Sequence, residues 1–317
     1  MDLNETAHAA PTTADGEVEA VRLTGCIGAE IRGVALSGAL SEAVVAAIRA
    51  ALLKHKVIFF RDQHHLDDPT QEAFAERLGE LMRLPTVDET GGSRSLLDLQ
   101  PSSGYFTTIW HTDSTFMASY PEASILRAIT MPSVGGDTMW ANTAAAYRDL
   151  PAPLKALVED LTCIHRNNTD MRERHGELPA ERLQNGGRLD AKVFETEHPV
   201  VSIHPETGER CLLLGAQFTR RFVGLTLEDS QRLIGVLQDH VTRPEHTVRW
   251  RWRAGDVAVW DNRATQHRVV ADYGDEVRHL RRATVRGVPA VGPNGFRSRQ
   301  VSGEATAGTV ERMAAMG

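Results

Sequence analysis

Val248-Arg249-Trp250-Arg251-Trp252-Arg253, then Ala254-Gly255-Asp256 and Val257-Ala258-Val259-Trp260, is the stretch that decides how this chain folds. Apolar residues at 248, 250 and 252 alternate with arginines, the period-two pattern of a strand with one face buried and the other in water. Ala254 to Asp256 turn the chain, and the apolar run 257–260 reads as a second strand. Working outward, Val200 to Ile203, a Glu206-Thr207-Gly208-Glu209 turn and Arg210 to Leu214 predict a hairpin, and Lys56 to Phe60 a short buried strand. Helices punctuate these strands. Ser41 is placed to cap one carrying Val44, Val45, Ile48 and Leu52, and Asp68-Pro69 to start another carrying Phe74 and Leu78. Leu154, Leu157, Val158 and Leu161 predict a third, and the Thr226 to Asp229 capping box leads into Leu233, Ile234 and Leu237. There is no regular strand-helix alternation, so the expectation is a mainly β architecture, an antiparallel core with flanking helices.

Composition limits the function classes. The chain has 317 residues, a length compatible with one elaborated domain. Its formal charge of −7, with no long basic run, gives no electrostatic reason to expect nucleic acid or an anionic membrane as partner. A small molecule is favoured. Cys26, Cys163 and Cys211 are far apart and form no CxxC pair, so neither a zinc ribbon nor a disulfide framework is indicated. With no apolar run long enough to span a bilayer, the expected setting is the cytoplasm. The predicted organisation is a loose tail over residues 1–18, a single domain over 19–290 and a second tail over 291–317, where Gly, Pro, Ala and Ser accumulate.

Trp110-His111-Thr112-Asp113 and the segment Trp260-Asp261-Asn262-Arg263-Ala264-Thr265-Gln266-His267 carry the chemistry. Two imidazoles and one carboxylate form the ligand set with which non-haem Fe(II) enzymes hold iron and leave positions open. In an extended segment residues i and i+2 share a face, so His111 and Asp113 can converge on one ion. His267 lies 154 positions beyond Asp113 (267 − 113), and a closed barrel or sandwich must return a late strand beside an early one to deliver it. A His-x-Asp pair alone is common by chance, and the other histidines show no paired metal spacing with a carboxylate. Asp261 could support Arg263. Gly135-Gly136 more simply permits a tight turn than binds phosphate.

The flanking sequence resembles the taurine dioxygenase-like (TauD/TfdA) family of Fe(II)/2-oxoglutarate-dependent oxygenases. The resemblance is carried by Trp110 to Phe116, Gly135-Gly136-Asp137-Thr138-Met139-Trp140, Trp260 to His267, and Arg278 with Arg281-Arg282-Ala283-Thr284, in family order and spacing. Trp140 to Tyr147 and His198-Pro199-Val200-Val201 lean towards its bacterial alkylsulfatase branch. The resemblance implies a double-stranded β-helix (jelly-roll, cupin-like) core and a homodimer or homotetramer. It also implies iron bound by His111, Asp113 and His267, 2-oxoglutarate bound by Thr138 and Arg278, and an anionic substrate met by Arg282. Arg278 stands eleven residues after the distal histidine (278 − 267), as the family's cosubstrate arginine does; on its own it would read as a solvated charge opposite Asp275 or Glu276. A guanidinium fork beside a hydroxyl suits a carboxylate.

Where sulfonate- and sulfate-handling relatives carry a histidine before a proline, this chain has Leu84-Pro85, which removes an anion contact from the substrate wall. The stretch Gly104 to Ile109 and Phe218 make that wall more apolar than taurine would need, and Thr107 and Ser114 are further candidate substrate contacts. The reading is therefore an enzyme that consumes O2 and 2-oxoglutarate, hydroxylates a C–H bond of a small anionic, partly hydrophobic substrate, and releases succinate and CO2. The carboxylate at Asp113 separates it from related halogenases, which have Ala or Gly there. A cupin-like metal isomerase or hydrolase, which would not need Thr138 and Arg278, and a noncatalytic binding barrel are the alternatives.

Overall fold

A computed structural model describes residues 18–82, 95–99, 107–167 and 193–303. Its largest element is a seven-stranded sheet in the order β1 (Glu19–Arg22), β2 (Ala29–Arg32), β3 (Val57–Phe60), β13 (Val257–Asp261), β5 (Ala123–Thr130), β15 (His279–Val285), β4 (Leu96–Leu99). Among the described residues only the β2–β3 pairing is parallel. Across from it lies a three-stranded sheet, β12 (Thr247–Trp250), β6 (Thr138–Asn142) and β14 (Thr265–Val269). A four-stranded sheet, β11 (Thr219–Phe222), β7 (Thr162–Arg166), β8 (Glu195–Pro199) and β16 (Arg299–Ser302), and the hairpin β9 (Val201–Ile203) with β10 (Arg210–Leu212) complete a jelly-roll core.

Alternation along the strands divides the core. Ile58 and Phe60 of β3, Val257 and Val259 of β13, and Ile125 of β5 face outward beneath α1 (Glu42–His55) and α2 (Asp68–Glu76), packing on Ile48, Leu52 and Phe74. Their neighbours Val57, Phe59, Ala258, Trp260 and Leu126 face inward, against Trp140 and Trp250 of the opposing sheet. Phe59 stacks on Trp250 with ring centroids 4.1 Å apart, and Trp140 meets Phe59 edge-on at 5.3 Å. The chain returns as its ligand spacing requires: β14 pairs with β6, and His267 forms an isolated antiparallel bridge with His111.

The predicted helix starts hold. Ser41 and Asp67 cap α1 and α2 by accepting from the Val44 and Thr70 amides, and Thr226 caps α5 (Leu227–Val241) by accepting from the Asp229 amide. α3 (Thr143–Asp149) and α4 (Ala152–Val158) lie between β6 and β7. α4 is shorter than its leucine pattern suggests, since the chain turns at Glu159–Asp160 to enter β7 and leaves Leu161 outside the helix.

Residues 291–303 are not a tail. β16 pairs with β8, and Arg299 bonds to the Glu197 carboxylate at 2.7 Å. Gly287, which opens the Gly- and Pro-rich stretch, is a close approach rather than a sign of looseness, because a Cβ there would stand 2.0 Å from the Tyr120 carbonyl oxygen. Residues 1–17 and 304–317 lie outside the described residues.

Ser41→Ala removes the α1 cap and should lower unfolding stability by about 1 kcal/mol, read as a shift in urea midpoint with unchanged slope.

Candidate metal centre

His111 and His267 are joined by their backbones, with His111 N donating to His267 O at 3.1 Å and His267 N to His111 O at 2.8 Å. Their rings lie 4.2 Å apart, centroid to centroid. Asp113 follows in a turn rather than in the extended segment expected, and Ser114 adopts a positive φ of 51° there. The carboxylate reaches the imidazoles through the turn and not by strand alternation. Asp113 Oδ1 is 3.8 Å from His111 Nε2 and 3.7 Å from His267 Nε2. These three buried residues are the only His/Cys/Asp/Glu group among the described residues able to hold a metal ion, their ligand atoms all lying within 4.8 Å of one another.

Protonation suits that role. His111 Nδ1 lies 2.9 Å from the Ile109 carbonyl, so it carries the hydrogen and Nε2 presents its lone pair to the centre. Burial lowers the pKa of both imidazoles, which keeps them neutral at pH 7. Burial alone would raise the Asp113 carboxyl, but Arg282 above all holds it well below the usual carboxylate range. Two neutral imidazoles and one ionised carboxylate match the donor set of a non-haem iron site.

Arg278 and Thr138 are together, as the family resemblance implied. Arg278 Nε donates to Gly136 O at 2.8 Å and its NH2 to Thr138 Oγ1 at 3.1 Å. Trp252 Nε1 also donates to Thr138 Oγ1, at 2.9 Å, which leaves the threonine proton to be donated elsewhere. Arg278 is 5% exposed, and burial pushes its guanidinium down to about 10. Among the described residues it forms no salt bridge, and Glu276 bonds to Ser133 instead. A buried cation with no carboxylate beside it is costly, and a bound anion would relieve that cost. The Gly135-Gly136 turn, with φ of 77° and 70°, delivers the carbonyl that holds Arg278.

The substrate-wall candidates divide. Phe218 is buried edge-on to His111 at 6.2 Å and to Phe116 at 5.3 Å, in a cluster with Met82, Met117 and Phe194. Ser114 is buried beside Asp113, and Thr107 Oγ1 donates to Gln217 Oε1 at 2.9 Å. Arg282 points at the centre itself, its NH1 donating to Asp113 Oδ1 at 2.8 Å. Leu84 lies outside the described residues, as does His175.

Sequence reasoning passed over several participants. Ser124 donates to Asp113 Oδ2 at 3.0 Å; its only signal was a hydroxyl within the apolar run Ala123-Ser124-Ile125-Leu126. His204, read as an ordinary histidine, lies 2.9 Å from Asp261 Oδ2. Asp261 does hold Arg263, through bonds of 2.9 and 2.7 Å, and thereby shapes the turn from β13 to β14.

Comparison with known proteins agrees with this geometry. The family model described as "Taurine catabolism dioxygenase TauD, TfdA family" matches residues 19–284. An alpha-ketoglutarate-dependent sulfate ester dioxygenase of Pseudomonas putida is 52% identical over 284 residues, covering 89% of this chain and 94% of the relative. An alkylsulfatase of Acinetobacter baylyi is 47% identical over 279 residues, covering 88% of each chain. The crystal structure of a taurine dioxygenase from Burkholderia xenovorans superposes with a TM-score of 0.78 at 38% identity, covering 93% of this chain and 98% of that one.

Asp261→Asn takes the charge from a buried carboxylate bonded to both Arg263 and His204. It should cost about 3 kcal/mol of unfolding free energy, measured by urea denaturation of metal-free protein.

Proposed function

The chain belongs to the TauD/TfdA dioxygenase family, and on that premise we propose that His111, Asp113 and His267 hold Fe(II) while Arg278 and Thr138 hold the distal carboxylate of 2-oxoglutarate. The protein is a 2-oxoglutarate-dependent dioxygenase. The observation that carries the residue assignment is Arg278, a buried guanidinium with no salt bridge among the described residues, bonded to a threonine hydroxyl that still has a proton to donate. A metal isomerase or hydrolase on this barrel would have no use for that pair.

Bound iron would supply the redox chemistry by which O2 oxidises 2-oxoglutarate to succinate and CO2 and a substrate C–H bond to C–OH. The chain's own residues do the positioning. Held by His111, Asp113 and His267 alone, such an ion would keep room for the keto-acid end of 2-oxoglutarate and for oxygen. Phe218, Phe116 and Phe194 build an apolar wall that excludes water from the centre and receives the hydrocarbon part of the substrate. Arg282 adds a second buried cation next to Asp113, for the substrate's anionic group. Thr107, Ser114 and Leu84 complete the wall in this reading.

The favoured substrates are alkyl sulfate esters, as the names of the two relatives suggest. Hydroxylation at the carbon bearing the ester oxygen gives an unstable product that collapses to an aldehyde and inorganic sulfate. No helix among the described residues is long and apolar enough to cross a membrane, and the three cysteines are free, which accords with a reducing cytoplasm. Assembly as a homodimer or homotetramer follows from the family resemblance.

Anaerobic addition of Fe(II) and 2-oxoglutarate should produce a visible charge-transfer band; iron-loaded protein without it would refute the assignment. His267→Ala should abolish the band. Arg278→Ala should raise the 2-oxoglutarate Kd on the order of 10- to 100-fold, and an unchanged Kd would remove Arg278 from the cosubstrate site. Stoichiometric aldehyde and sulfate from a C6–C12 alkyl sulfate panel would identify the substrate class.

A further inference from the structure

Asp113 has two oxygens, and the structure treats them differently. Oδ1 is the atom lying 3.8 and 3.7 Å from the two imidazole nitrogens and 2.8 Å from Arg282 NH1. Oδ2 accepts from the Ser124 hydroxyl at 3.0 Å. Behind Ser124 the chain of bonds continues: Asn262 Nδ2 donates to Ser124 Oγ at 3.0 Å, and Trp260 Nε1 donates to Asn262 Oδ1 at 3.0 Å. All four side chains are fully buried, at 1% exposure or less.

The direction of this relay is fixed at its far end. An indole N–H can only donate, so the Asn262 atom facing Trp260 is the carbonyl oxygen, and the NH2 must face Ser124. The Ser124 oxygen therefore accepts, and its single proton is committed to Asp113 Oδ2. Strand register builds the relay into the sheet, because Ser124 of β5 sits directly opposite Trp260 of β13. A hydroxyl in the middle of this sheet would be a liability without partners; here it has one donor and one acceptor.

We propose that Ser124 and Asn262 are positioning residues that tie up Asp113 Oδ2 and so restrict the carboxylate to one metal-facing oxygen. The inference rests on the iron assignment above. A carboxylate that bound through both oxygens would occupy a fourth coordination position, and three would no longer remain for 2-oxoglutarate and oxygen. The relay keeps the ligand count at three. Loss of its donor leaves Oδ2 buried without its hydroxyl bond and free to swing, and orienting partners of this kind carry on the order of 10- to 100-fold in metal affinity.

The test uses full-length protein loaded with Mn(II), whose free aquo signal in electron paramagnetic resonance reports binding directly. Ser124→Ala should raise the Mn(II) Kd ~10-fold or more and change the line shape of the bound ion. Asn262→Asp is the sharper variant: it keeps volume and still accepts from Trp260, but it cannot donate, so the Ser124 proton turns away from Asp113 and the same loss should follow. Ser124→Thr, which restores the hydroxyl, should bind Mn(II) within about threefold of the parent. Thermal melts of the metal-free variants establish that each is folded; should Ser124→Ala fail to fold, Asn262→Asp and Ser124→Thr decide. Mn(II) affinity and line shape unchanged in folded Asn262→Asp would overturn the proposal. Normal Mn(II) binding by the parent without subsequent uptake of 2-oxoglutarate would instead overturn the functional reading, and the two failures are separable.

Discussion

Two backbone hydrogen bonds between His111 and His267, of 3.1 and 2.8 Å, are the constraint on which the rest of this molecule depends. They join residues 156 positions apart (267 − 111) and set both imidazoles beside the same turn. Side-chain direction alternates along a strand, so a one-residue slip of β14 against β6 would send His267 to the other face and dissolve the site. The inward aromatic layer opposes such a slip. Trp140, directly opposite His267 in the β6–β14 register, is wedged against Phe59 and Trp260. Packing thus fixes register, and register fixes ligand geometry.

Placing charges in this interior has a cost that the structure meets locally. Asp113 is surrounded by donors from Arg282 and Ser124, and Asp261 by donors from Arg263 and His204. Each carboxylate is held ionised against the pull of burial. Arg278 is the exception. Among the described residues its bonds go to a carbonyl and a hydroxyl, both neutral, and burial lowers its pKa to about 10. Within a core where ionised carboxylates are matched to cations, a cation bonded only to neutral groups is where an anionic ligand gains most.

The sequence carried the parts of this arrangement that local pattern or motif can encode. Alternation from Val248 and the apolar run Val257 to Trp260 placed two strands, although the first ends at Trp250 and leaves Trp252 outside it, and Ser41 and Thr226 placed two helix starts. The spacing of His111, Asp113 and His267 required a returning strand, which β14 is. Partners across the barrel were hidden, since Arg282 and Asp113 are 169 positions apart and Ser124 and Asn262 are 138 apart. No periodicity records such pairs. Composition misled at residues 291–303, where Gly and Pro serve a close approach and a turn before β16 rather than a loose end. The turn at Ser114 was likewise unreadable, because a positive φ at a serine leaves no compositional trace.

The two arginines of β15 and its approach, Arg278 and Arg282, are four positions apart and equally buried at 5% exposure, yet they are not equivalent anion receptors. Among the described residues Arg278 bonds only to neutral groups. Arg282 already shares its charge with Asp113, so an anion arriving beside it meets a guanidinium whose field is partly cancelled. That difference orders the two ligands by charge. In the proposed assignment a dicarboxylate gains a strong, specific contact at Arg278, whereas a singly charged substrate beside Arg282 must draw much of its affinity from the apolar cluster of Phe116, Phe194 and Phe218. Under that assignment cosubstrate recognition is chiefly electrostatic and substrate recognition chiefly hydrophobic.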